Sequence, residues 1–134
     1  MSLITETTKG LNAERAKAGL PPLTPDDRLM QSAQQHSDFM DKAKTLTHQG
    51  ENEPPFDQRI RNAGYVSSYE EENIAWTTGG AQEVVKLWMG DKPHRDNILN
   101  PKITNLGLGI SPPENTGDAS TARYWALDLA APLG

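Results

Sequence analysis

Leu106-Gly107-Leu108-Gly109-Ile110 is the stretch that decides the fold class. Apolar residues alternate with glycine, the period-two signature of a strand. Glycine on the opposite face implies that another backbone or side chain packs closely there. Residues Ala122 to Ala130, which contain Tyr124-Trp125, predict a second strand. The loop between them, Pro112 to Ser120, is short, so the two strands form an antiparallel hairpin. A third strand is predicted from Tyr69 to Trp76, although Glu70-Glu71-Glu72 weakens its local propensity.

The rest of the chain reads as helix and loop. A first helix is expected from about Leu3 to Ala18, with Ile4, Leu11 and Ala18 on its stripe and Gly19 as its stop. Thr24-Pro25-Asp26-Asp27 reads as an N-cap, a proline at the first helical position and an acidic first turn. The helix it opens runs to about Lys44, with Leu29, Ala33, His36 and Met40 on one face. Thr45 to Pro55 is polar and irregular. Phe56 to Ala63 is a short helix stopped by Gly64. Ala81, Val84, Val85 and Trp88 mark another helix, stopped by Gly90, and His94 to Leu99 is read as tight turns closed by Asn100-Pro101. Helices around a small sheet place the chain in the α+β class.

At 134 residues, with no internal repeat, residues 1–134 are expected to form one domain. The formal charge of −5 argues against nucleic acid or an anionic membrane as the main partner, since both demand a positive field. No stretch is apolar enough for a transmembrane segment. Cysteine is absent, which excludes disulfides, thiolate metal sites and a cysteine nucleophile. Met1 to Glu6 carries no basic region and no apolar run, so no signal peptide is read there. A monomer is expected.

Phosphate-binding loops, zinc-protease helices and nucleophile elbows are all missing. The chemistry rests on three histidines and the acids around them. His36, on an apolar stripe, reads as a core histidine with a hydrogen-bond partner. His48, taken singly, is a loop histidine in solvent, and His94 is a turn residue beside Arg95 and Asp96. Glu83 is a solvated helix residue. Glu72, within a strand, needs a partner if buried, because an unpaired buried carboxylate is costly.

Read together, the residues carry more. Asn12-x-x-Arg15-x-x-x-Gly19-Leu20-x-x-Leu23 is followed by Ala33-x-x-His36-Ser37-x-x-Met40 and Leu46-Thr47-His48. Then come Glu72-Asn73-Ile74-Ala75-Trp76, Glu83 to Trp88, Pro93 to Pro101, Leu106 to Gly109 and Tyr124-Trp125. This order resembles the CAP superfamily: the cysteine-rich secretory, antigen five and pathogenesis-related proteins, also called SCP-like. The likeness covers nearly the whole chain and is nearest to compact bacterial members without cysteine. It implies an α-β-α sandwich with a small antiparallel sheet between helices.

It further implies a cleft holding two histidines and two glutamates, which match His48, Glu72, Glu83 and His94. Family members bind divalent metal, often zinc, through the two histidines, here His48 and His94. Bacterial relatives usually carry serine where this chain has Asp91, which adds a carboxylate near His94. Asn73 and Arg95 flank the same positions. Two glutamates in one cleft require a positive partner. Two protonated histidines would supply it, as would two neutral imidazoles with a weakly bound divalent cation. The expected function is an extracytoplasmic protein, secreted or periplasmic, that binds a ligand or protein partner at this cleft. A metal-assisted hydrolase with Glu72 or Glu83 as base, and a carrier of lipid or sterol, are the alternatives.

Overall fold

The computed structural model describes residues 2–118 and 120–133. Among these, the helices are α1 (Leu3–Lys17), α2 (Asp27–Ala43), α3 (Phe56–Asn62), α4 (Ala81–Met89) and α5 (Lys92–Ile98). The strands are β1 (Thr24–Pro25), β2 (Ser67–Thr77), β3 (Asn105–Ser111) and β4 (Arg123–Pro132). They form one sheet in the order β1-β3-β4-β2. The β3–β4 and β2–β4 pairs are antiparallel, whereas the two-residue β1 joins β3 in parallel. Helices cover both faces, giving the α-β-α sandwich.

Thr24-Pro25 is strand rather than helix start. Thr24 N–H donates to Thr104 O and Asp26 N–H to Leu106 O, so the chain stays extended along β3 and Asp26 becomes the N-cap of α2. The helix then buries Leu29, Ala33, His36 and Met40, together with Ser32 and Ser37. It lies close against β3: a Cβ on Gly107 would stand 2.1 Å from the backbone of Leu29, and one on Gly109 2.5 Å from that of Ala33. The glycines of the deciding stretch therefore face α2, while Leu106, Leu108 and Ile110 face the opposite core.

That second core holds Leu11, Val84, Trp88, Trp125, Leu127 and Leu129 between the sheet and α1, α4 and α5. The buried stripe of α1 is Thr7, Leu11 and Arg15, not the seven-residue spacing that would include Ala18, which caps the helix in solvent. The polar members are satisfied locally. Thr7 Oγ1 donates to Leu3 O, and Arg15 donates to the carbonyls of Pro21, Ile98 and Asn100, tying the end of α1 to the end of α5. Asn12 clasps both backbone groups of Leu23. Residues 92–98 form a full helix rather than isolated turns, capped by the Asp91 side chain and with Pro93 in its first turn.

Candidate functional site

Alternation along β2 sends Glu72 and Ile74 toward α2 and Asn73 and Ala75 toward α4 and α5. On the α2 side, Ile74 packs with Ala33 and Met40. On the other, Asn73 Nδ2 donates to His94 O at 3.0 Å and Asn97 Nδ2 donates to Asn73 Oδ1 at 2.9 Å. The helix carrying His94 is thus tied to β2 on the α4 and α5 side, whereas His48 reaches the strand through Glu72 on the α2 side.

The centre of the α2 side is Glu72, whose side chain is fully buried. Its Oε1 lies 3.1 Å from His48 Nδ1, and its Oε2 lies 2.9 Å from Arg59 Nη2. Burial opposes the charge on Glu72, but the contacts with His48 and Asp128 and the neighbouring Arg59 and His36 outweigh it and hold the carboxyl below its ordinary value. The His48 ring is about half exposed (52%), so a fixed buried carboxylate orients an imidazole that solvent can reach. This is the geometry by which an outer carboxylate sets the tautomer of a ligating or proton-handling histidine.

His94 has a parallel arrangement. Its Nδ1 lies 2.8 Å from Asp91 Oδ2, and Asp91 also caps the helix that carries it. Arg95 is turned away, donating to Met89 O. Glu83 stands elsewhere. It is exposed on α4, its methylenes lie against Gly79, and it lines a hollow between α1 and α4 with Leu3, Glu6 and Lys9. Among the described residues it makes no hydrogen bond or ion pair with His48, Glu72 or His94. His36, read from sequence as a core histidine, is fully buried, with Nδ1 2.6 Å from Glu53 Oε2 and Nε2 2.6 Å from Thr47 O.

Sequence reasoning did not select Glu53, Arg59 or Asp128, yet they complete the floor of the site. Arg59 is 2% exposed and reaches toward Glu72, Glu53 and Asp128. One signal for it was legible: it lies three residues after Phe56 and beside Ile60, on the apolar face of a short helix, where a cation demands buried acids. Asp128, between Leu127 and Leu129 in β4, was equally conspicuous as a charge among buried positions.

The model of the cysteine-rich secretory protein family, CAP, matches residues 9–129. The chain belongs to the CAP family. This CAP domain is 41% identical over 99 residues to an uncharacterized protein, YkwD, of Bacillus subtilis (strain 168), covering 73% of this chain and 38% of that protein. An uncharacterized membrane protein of the same organism, YlbC, is 27% identical over 99 residues, covering 74% of this chain and 29% of its own length. The chain thus spans less than two-fifths of the curated relatives it matches. Among solved structures, an extracellular SCP-domain protein from Bacillus anthracis str. Ames superposes with a TM-score of 0.85 at 20% identity, covering 96% of this chain and 40% of that one. An outer surface protein from Borrelia burgdorferi superposes at 0.81 and 17% identity, covering 94% of this chain and 90% of that one. At these identities the likeness concerns the fold.

A divalent metal is the group this CAP domain's likeness implies. Among the described residues no three His, Asp or Glu side chains are grouped to hold one. The donor chemistry nevertheless fits a loosely held ion. His48 and His94 each have Nδ1 beside a carboxylate, and neither Nε2 has a protein partner among the described residues. No described helix is long and apolar enough to cross a membrane.

Proposed function

We propose that this CAP domain acts outside the cytoplasm, secreted or periplasmic, and binds a ligand or protein partner at the rim of β2. His48 and Glu72 form one wall and His94 and Asp91 the other. The observation that carries this reading is the half-exposed His48 ring held at 3.1 Å by a fully buried carboxylate. A histidine with only a structural task has no need of a solvent-facing nitrogen and a buried anchor together. Two structural neighbours are an extracellular protein and an outer surface protein, which supports the compartment.

A divalent cation, zinc foremost, is an optional component held by His48 and His94, with water or the ligand's own carboxylate completing its coordination. When bound, it would supply positive charge opposite Glu72 and Lewis acidity toward a ligand oxygen. The chain's residues do the rest. Glu72 and Asp91 orient the two imidazoles, and Asn73 fixes the backbone of His94 to the strand. A hydrolytic use of the cleft finds less support. Glu72 has Oε1 on His48 and Oε2 beside Arg59, which suits an orienting group better than a base free to take a proton from water. A carrier function would use a separate part of the molecule, the hollow between α1 and α4, whose walls mix Leu3, Val85 and Met89 with Glu6, Lys9 and Lys86.

The test is a thermal melt with and without zinc, on the native protein and on the H48A/H94A double variant. Zinc requires neutral imidazoles, so its effect should grow from acid toward neutral pH. At a hundredfold excess over Kd the stabilisation should be about 2.7 kcal/mol. It should vanish in the double variant. An equal shift in both proteins would place the ion elsewhere, and no shift in either would remove the metal from this reading.

A further inference from the structure

Glu72 in β2 and Asp128 in β4 are directly opposed in the antiparallel register, and both side chains are fully buried. Such cross-strand pairs stand about 5 Å apart at Cβ. Two carboxyl groups so placed repel unless something intervenes. The charged and titratable groups facing them come from each surrounding element: His36 from α2, His48 and Glu53 from the loop between α2 and α3, and Arg59 from α3. Across β4 on the other side lies Gly107 of β3, which brings no side chain.

The charges can be counted from geometry. His36 Nε2 lies 2.6 Å from Thr47 O, and a carbonyl only accepts, so Nε2 carries hydrogen. His36 Nδ1 lies 2.6 Å from Glu53 Oε2, and that contact holds one proton on one side or the other. The His36–Glu53 pair is therefore neutral in sum. His48 is half in water. Only the Arg59 guanidinium is left within the interior for both Glu72 and Asp128. Two bare carboxylates there would leave one uncompensated negative charge in a dry site, which is strongly disfavoured. One proton on the pair removes it.

The proton's place follows from the partners. Glu72 faces His48 Nδ1 and Arg59 Nη2, at 3.1 and 2.9 Å. Asp128 has the weaker set, with Arg59 Nη1 3.6 Å from its Oδ2. We propose that Asp128 is a neutral carboxylic acid at neutral pH, donating its proton to Glu72 Oε2, and that it positions Glu72 so that Oε1 serves His48. Burial, followed by the charge of Glu72, pushes the Asp128 carboxyl well above its ordinary value, in the same direction. The consequence is that the cleft faces one buried negative charge rather than two, in a carboxylate gripped from behind. Asp128 is thus a positioning residue that acts on His48 through Glu72. This protonation state lies beneath the same cleft, and its use in positioning His48 rests on the function proposed above.

The experiment is a pH titration of the side-chain carboxyl carbon of Asp128 by NMR on the full chain, with D128N and D128L alongside. It should keep the protonated shift through neutral pH. The melting temperature adds a second readout. An acid that holds its proton more tightly when folded loses stability as pH rises from its unfolded value, 3.8, toward its folded one. D128N keeps a donor toward Glu72 but cannot ionise, so its melting temperature should lack that decline. D128L, with no donor, should melt below D128N at neutral pH. An Asp128 carbon already ionised at about pH 5 would overturn the proposal. If neither variant folds, the native titration alone decides.

Discussion

Replacing Gly107 with alanine adds one methyl group, and the structure says where it would go. The new Cβ would stand 2.1 Å from the Leu29 carbonyl carbon, 2.2 Å from Leu29 O and 2.4 Å from Met30 N. Ordinary van der Waals contact begins at 3.4 Å, so the overlap is 1 Å or more on three atoms at once. All three are backbone of α2, which has no rotamer to change. Either α2 moves away from β3 or the strand buckles. Both movements open the layer that holds Leu29, Ala33 and His36. Overpacking a well-filled core costs about 1–3 kcal/mol when side chains can yield, and here they cannot, so G107A should cost at least about 3 kcal/mol. Urea denaturation followed by tryptophan fluorescence measures this. G19A is the control: Gly19 has φ +76° and nothing within 4 Å, so its alanine suffers backbone strain without a clash. A loss below about 1 kcal/mol for G107A, the size of an ordinary surface change, would refute the close approach of α2 to the sheet.

Two further outcomes test the two sides of the sheet. Trp88 is 1% exposed and its Nε1 donates to Ile74 O at 3.1 Å, so W88A should lose about 3–5 kcal/mol in the same denaturation assay. W88F, which keeps most of the packing, isolates the hydrogen bond at about 1 kcal/mol plus the lost area. On the α2 side, R59A strips the guanidinium from buried Glu72 and should cost about 3–5 kcal/mol, the usual result of breaking one partner from a buried ion pair. A near-neutral R59A would mean that water already reaches Glu72.

How much of this was legible beforehand depends on the range of the interaction. The deciding glycine stretch announced close packing because alternation and glycine are local signals, and the structure supplies the backbone that closes on it. The stripe of α2 was equally plain, since Leu29, Ala33, His36 and Met40 repeat within one helix. Thr24-Pro25 was misread because the same residues suit a helix cap or a short extended pair, and the choice was made by β3, about eighty residues away. The site divides along the same line. His48 and Glu72 carried a recognisable order, and they meet. Glu83 shared that order, yet the α-helical turn that buries Val84 and Trp88 points it to the α1 side of α4. Glu53 gave no local sign at all, being one acid in a polar loop, and only the buried His36 and Arg59 give it a purpose. A buried charge is a demand for a partner, but a sequence states the demand without naming who meets it. Arg59 on an apolar helix face and Asp128 in an apolar strand were two such demands of opposite sign. Pairing them across the chain would have placed α3 over β2 and β4, and the floor of the cleft with it.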